Sequence, residues 1–362
     1  MQEVKPNTDP TYQEREYKGM DKFFIQFLHD KKDLPFIYLT LKVTFIMIPA
    51  AVLLYLPIVN NIPWLWWALS VFYFYLNTFA YKGPFGLMLH CTSHRTWFKK
   101  KYGIFNHYLP WVVGLFFGQT PRTYYSHHIW MHHPENNLMD DESTTMKYRR
   151  NTFKEFMKYF LDFLFIGMIR LVGYFSKRNK AKLIINCVTG ETLFVLLCVG
   201  LSFVNFQATF MVFILSFLVS RFVMMLGNWT QHAFVDEKDP GNAYKNSVTC
   251  INVKYNHKCW NDGYHISHHV RPGMHWTQHP VFFQEHLDEF VKNKAIVFQG
   301  IGFLEIFWFL MWQKYDKLAY YGVNINGDTF KSDEEFIHLI KERTHWKLKK
   351  NVENPIRYAF SS

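Results

Sequence analysis

The feature that most constrains this chain is a set of four long apolar tracts, residues 36–59, 64–89, 183–204 and 208–226. A helix needs about 20 apolar residues to cross a hydrocarbon core of about 30 Å, and each tract is close to that length. Asn60-Asn61-Ile62-Pro63 joins the first two, and a few residues around Asn205 and Gln207 join the last two. Connectors this short permit only tight hairpins. Neither tip carries a charge, whereas the other loops are rich in Lys and Arg, as at Lys99, Lys100, Lys101, Lys177, Arg178, Lys180 and Lys182. That bias puts both tips outside, and both termini and the 95–182 segment on the cytosolic side.

The expected fold is an all-α integral membrane protein, with four transmembrane helices in two hairpins and a cytosolic helical cap. A mean hydropathy near zero leaves ample polar material for the cap. The net charge of +11 crowds the loops beside the tracts, so it reads as membrane topology rather than as affinity for nucleic acid. The five cysteines are odd in number and lack C-x-x-C spacing, which argues for reduced thiols on a cytosolic side. The chain divides into a polar segment 1–35 without a cleavable-leader pattern, a membrane and catalytic region 36–294, and a terminal region 295–362. Two further apolar stretches, 153–175 and 295–312, are interrupted by polar and charged residues such as Lys154, Lys158, Asp162, Arg170 and Glu305. Helices lying in the interface or packed under the cap suit them.

Histidines cluster at four places: His90 and His94; His128, His132 and His133; Asn228 with His232; and His265, His268 and His269. The second and fourth tracts both end on the cytosolic side, and the other two clusters lie in polar segments that follow those ends. All four therefore face one compartment and can converge. On a helix, residues three and four apart share a face, so each cluster is expected to project its side chains together. A single zinc takes about four ligands, and nine imidazoles exceed that. A pair of metals uses them all, and imidazole suits iron. His29, His107, His257, His279, His286, His338 and His345 read as ordinary hydrogen-bonded or surface residues, while His127 and His275 adjoin clusters and are left open between a supporting role and none.

Two patterns mislead. Glu335-Phe-Ile-His338 and Glu342-Arg-Thr-His345 match the Glu-x-x-His element of carboxylate-bridged di-iron bundles. They lie on one expected helix, about 10 Å apart along its axis, too far to clamp one metal pair, and that helix reads as a solvated charged face. Asn228-Trp-Thr230 matches the glycosylation acceptor pattern, but topology places it on the cytosolic side.

These clusters resemble the three histidine boxes of the membrane fatty-acyl desaturase and hydroxylase superfamily: His90-Cys-Thr-Ser-His94, His128-Ile-Trp-Met-His132-His133 and His265-Ile-Ser-His268-His269. Asn228-Trp-Thr-Gln-His232 is similar to a further element found in acyl-CoA desaturases, in which the histidine binds metal and the asparagine reaches it through water. The resemblance spans roughly residues 36–285. It implies a non-haem centre of two Fe ions (Fe2+/Fe3+) and O2 as cosubstrate. It further implies an acyl-CoA or acyl-lipid substrate; the endoplasmic reticulum membrane, among membrane lipids, is the expected location, and a bacterial plasma membrane fits the same sequence logic. The fused cytochrome b5 motif His-Pro-Gly-Gly of some members is missing, since Val281-Phe282 follow His279-Pro280. Electrons are then expected from a separate carrier, such as cytochrome b5 or ferredoxin, and its reductase.

The reaction expected is insertion of a double bond into an acyl chain. A hydroxylase or alkane-type monooxygenase on the same scaffold is the nearest rival, separated by a hydroxyl in the product. A membrane metal transporter is a rival of another class, but transporters hold their ligands near the bilayer midplane, and these clusters sit at or beyond the ends of the apolar tracts.

Overall fold

The computed structural model describes residues 1–347. Along the chain the elements used below are α1 (Lys31–Leu53), α2 (63–94), α3 (128–135), α4 (Phe153–Lys177), α5 (Ala181–Thr209), α6 (Leu215–Gln231), β1 (Val248–Ile251), α7 (His265–Val270), β2 (Ile296–Gln299), α8 (Phe303–Met311), α9 (Tyr315–Tyr321) and α10 (Asp333–His345). α2 is continuous from Pro63–Tyr75 through a π turn at Leu76–Tyr81 into Lys82–His94. The chain falls into two compact units, one of residues 13–126 and 175–222, the other of 1–12, 127–174 and 223–362. Residues near both ends of the described chain thus share a unit with the second and third histidine boxes. The part of segment 295–362 past residue 347 lies outside the described residues.

The first unit contains the apolar helices. Among the described residues, two helical stretches are long and apolar enough to cross a membrane, Lys31–Leu53 and Ala181–Gln231. The second of these is 51 residues long, and its backbone leaves helical geometry at Asn205, where φ is −159° and ψ is 104°, at the expected hairpin tip. The Asn205 amide donates to Asn60 Oδ1 at 2.8 Å, so the tips of both expected hairpins meet. Phe203 is 89% exposed, and Phe45, Trp64, Trp67, Val71, Phe79 and Leu196 are also outward. Rows of large apolar side chains left uncovered suit a lipid-facing surface.

The second unit corrects the all-α expectation. β1 and β2 pair in parallel, Val248 opposite Ile296 and Ile251 opposite Gln299. Both strands are buried along their whole length, as continuous Val and Ile runs in parallel sheets are. The stretch 295–312, expected to be one helix, is thus split into β2 and α8. A short apolar run cannot be told from a helix by periodicity, and Gly300 between the two elements, at φ +81°, breaks any continuation. Parallel strands need a long crossover, and here that crossover carries α7 with the third histidine box.

Phe234, Cys250, Phe298, Ile306, Leu310, Leu318, Phe336 and Ile340 form one core. The last two come from α10, so the helix expected to be a solvated face is docked. Arg343 is buried and bridges Asp236 at 2.8 Å. α4 forms as a helix over the 153–175 stretch. All five cysteines are free thiols.

Candidate metal centre

The second box is shaped by a π turn. In an α-helix, positions five apart diverge by about 140°, but the backbone N–H of His133 reaches the carbonyl of His128, an i→i+5 bond that widens the turn. His128 and His133 thereby share a face, with Nε2 atoms 3.0 Å apart, and His132 turns elsewhere. The expectation that all three project together is corrected by this turn. The third box divides as well. His265 and His269, four apart on α7, meet at 3.1 Å, whereas His268 Nε2 lies 3.0 Å from His133 Nε2.

Two imidazole groups result in this unit. One contains His128, His133 and His268, and the other His132, His232, His265 and His269, with ligand nitrogens in each within 4.8 Å of one another. The groups adjoin, the rings of His133 and His269 having centroids 5.1 Å apart. His90 and His94 lie in the other unit, one turn apart at the end of α2, with ring centroids 5.2 Å apart, so their expected shared face is present.

Hydrogen bonds fix which nitrogens point inward. His132 Nδ1 lies 2.6 Å from a carboxylate oxygen of Asp141, which is fully buried. His232 Nδ1 lies 2.6 Å from Asn246 Oδ1 and 3.0 Å from its carbonyl. The Asn246 amide nitrogen donates to the carbonyls of Asn136 and Pro240, so its oxygen must be the atom facing His232. Each Nδ1 then carries a proton and each ring turns its Nε2 inward, where the neutral His232 presents a lone pair. Burial, reinforced by His132, holds His232 down at about 4, which keeps that lone pair free at neutral pH. Burial alone would raise the Asp141 carboxyl, but His132, by charge and hydrogen bond, together with His127 and Ser143, pulls it well below the usual carboxylate range.

Ring nitrogens brought this close from three or four imidazoles can share one cation. Nitrogen-only donor sets in two adjoining groups fit a pair of iron ions, with Asp141 and Asn246 in the orienting role that ligating histidines usually require. Replacing Asn246 by Leu, of similar size, should therefore weaken metal retention about 10- to 100-fold. Metal titration of the purified full-length chain against wild type checks this, and unchanged affinity refutes the orienting role.

Asn228 sits one turn before His232, its amide nitrogen donating to the Ser143 carbonyl at 2.9 Å and to the Tyr159 hydroxyl at 2.6 Å. Trp229 and Thr230 are fully buried, so the glycosylation pattern is out of reach of any modifying enzyme. His127 is outside both groups, stacked on His132 and edge-on to Phe163, which leaves His128 as the first member of its box. His275 caps the turn at Thr277. His338 is exposed, and His345 contacts Asn151, so neither Glu-x-x-His pattern joins a site.

Sequence reasoning missed Asp141, Asn246 and His279. Ser267 donates to the Tyr264 carbonyl, and so must accept from His279 Nδ1 at 2.7 Å; the His279 ring is also edge-on to His268. Asp141 sits in the run Asp140-Asp141-Glu142-Ser143, where nothing in the spacing separates a buried carboxylate from solvated neighbours.

A family model described as fatty acid desaturase matches residues 64–300 of the chain. Neither the curated proteins nor the solved structures give a match.

Proposed function

The chain belongs to the fatty acid desaturase family, and on that premise we propose that it is a membrane-bound, O2-dependent fatty-acyl desaturase acting on an acyl-CoA or acyl-lipid. The observation that carries this reading is the pair of adjoining nitrogen-only groups, in one of which two rings are oriented from outside by Asp141 and Asn246. Removing hydrogens from unactivated methylenes is beyond any side chain acting as acid or base, and the work falls to a cofactor. Two bound irons would supply the oxidising power from O2. His128, His133 and His268 would hold one, His132, His232, His265 and His269 the other. On the sequence reading, His90 and His94 add their donors from the end of α2, and Asn228 adds a contact through water.

The remaining side chains position these donors. Asp141 and Asn246 fix two imidazoles in the ligating tautomer. Ser143 and Tyr159 hold the Asn228 amide in one orientation. Burial of Ser267, Asn246 and Thr145 beside the imidazoles keeps bulk water from competing for the donors. Electrons come from a separate carrier with its reductase, and nucleic acid has no part.

Mass-spectrometric profiling of lipids from a host expressing the chain, set against His268→Ala, tests the reaction. A new double bond present only with wild type supports desaturation. A new hydroxyl moves the reaction to hydroxylation on the same scaffold, and metal flux into vesicles without oxygen consumption replaces it with transport.

We place the chain in the endoplasmic reticulum membrane with four spans and both termini cytosolic. The Asn60–Asn205 contact supports this, since it puts both hairpin tips at one end. Single cysteines at the exposed positions Asn61 and Gln207 should label with an impermeant reagent only from the luminal side, and cytosolic labelling at either refutes the orientation.

A further inference from the structure

Residues 2–10 run across the second unit in extended form and are tied down at intervals. The Gln2 amide donates to the Gly322 carbonyl at 2.8 Å, and the Gln2 carbonyl accepts from Asn324 at 2.9 Å. The Lys5 amide donates to Gln299 Oε1 at 2.9 Å, and the Thr8 amide to Asn252 Oδ1 at 2.8 Å. The segment therefore follows the ends of β1 and β2.

It ends at a buried carboxylate. Asp9 is 4% exposed. Its oxygens accept from the backbone amides of Asn252 at 2.7 Å and Val253 at 3.2 Å, and from the Tyr264 hydroxyl at 2.7 Å. One residue later, the Pro10 carbonyl accepts from the Asn261 amide at 2.7 Å. Tyr264 immediately precedes His265, and its carbonyl receives both the His268 backbone amide and the Ser267 hydroxyl, so the position of Tyr264 sets the start of α7. From its other side the same loop is fixed by β1, through the Cys250 amide on the Gly263 carbonyl at 2.7 Å. Gly263 allows this approach, because a Cβ there would lie 2.3 Å from Asn256 Oδ1. Trp260 and Asn261 hold positive φ, at 53° and 55°, a conformation that costs non-glycine residues energy and persists only where the surroundings impose it.

We propose that residues 2–10 are a strap and that Asp9 is a positioning residue for the metal centre, fixing through Tyr264 the helix that presents His265, His268 and His269. The proposal rests on the reading of the two imidazole groups as metal sites. A charged carboxylate bonded to a phenol and two amides is a strong and directional anchor, and displacing the first turn of α7 moves His265 away from His232, 3.3 Å distant.

The test is Fe2+ titration, under anaerobic conditions, of the purified full-length chain, comparing wild type with Tyr264→Phe and Asp9→Ala. Tyr264→Phe keeps the ring against Phe283 and removes only the hydroxyl, so it tests the anchor even where Asp9→Ala fails to fold. The expected result is two binding events in wild type, both weakened about 10- to 100-fold in Tyr264→Phe at an unchanged melting temperature. A purely structural role would lower the melting temperature along with both affinities, and equal affinities in wild type and Tyr264→Phe would likewise overturn the strap. Absence of paired binding in wild type would instead overturn the metal reading beneath it.

Discussion

Replacing His268 by alanine is expected to reduce lipid modification below detection while leaving the chain folded and membrane-inserted. His268 Nε2 meets His133 Nε2 at 3.0 Å, and His133 in turn meets His128. Removing the imidazole takes one of three converging donors from that group and leaves a cavity where water can enter. His268→Ala should then bind metal at the group of His132, His232, His265 and His269 and lose it at the other, a change read as a fall from two irons to one per chain. Turnover at the wild-type rate would remove this group from the chemistry.

The second large effect is on stability. Arg150 is fully buried, and its guanidinium donates to the carbonyls of Ala233 at 2.9 Å, Tyr148 at 3.0 Å, Arg343 at 2.6 Å and Trp346 at 3.1 Å, with the Trp346 ring 5.0 Å away. These acceptors join the loop after His232, the segment after the second box and the end of α10. Arg150→Ala strands several buried carbonyls at about 1–3 kcal/mol each. The variant should therefore be destabilised by at least about 3 kcal/mol, enough to lower the melting temperature measurably and expose α10 to protease. Arg150→Lys should recover only part of this, because one ammonium cannot span a planar fork of acceptors. A melting temperature equal to wild type for Arg150→Ala contradicts the clamp.

Much of the site was legible because helical spacing is carried by local pattern. His90 and His94, and His265 and His269, pair at i, i+4 as spacing implies. The partition of the second and third boxes between two groups was not legible, since it depends on a π turn at 128–132 that no pattern of apolar residues announces. Asp141, Asn246 and Asp9 were hidden for a related reason: each acquires its role from burial beside a partner distant in sequence or in a loop, and short polar residues look alike before folding. The strand at 296–299 is not legible because three apolar residues and a glutamine carry no usable period. α10 was misread because Phe336, Ile340 and Arg343 form a narrow buried stripe amid many charges, and the stripe was outweighed by composition.

The central claim is that two adjoining imidazole groups hold a pair of irons. Iron and protein quantified together in the anaerobically reconstituted full-length chain test it most directly. The account predicts two irons per chain, falling to one when either His268 or His232 is replaced by alanine. A wild-type ratio of one or none, or a ratio indifferent to both replacements, would contradict it.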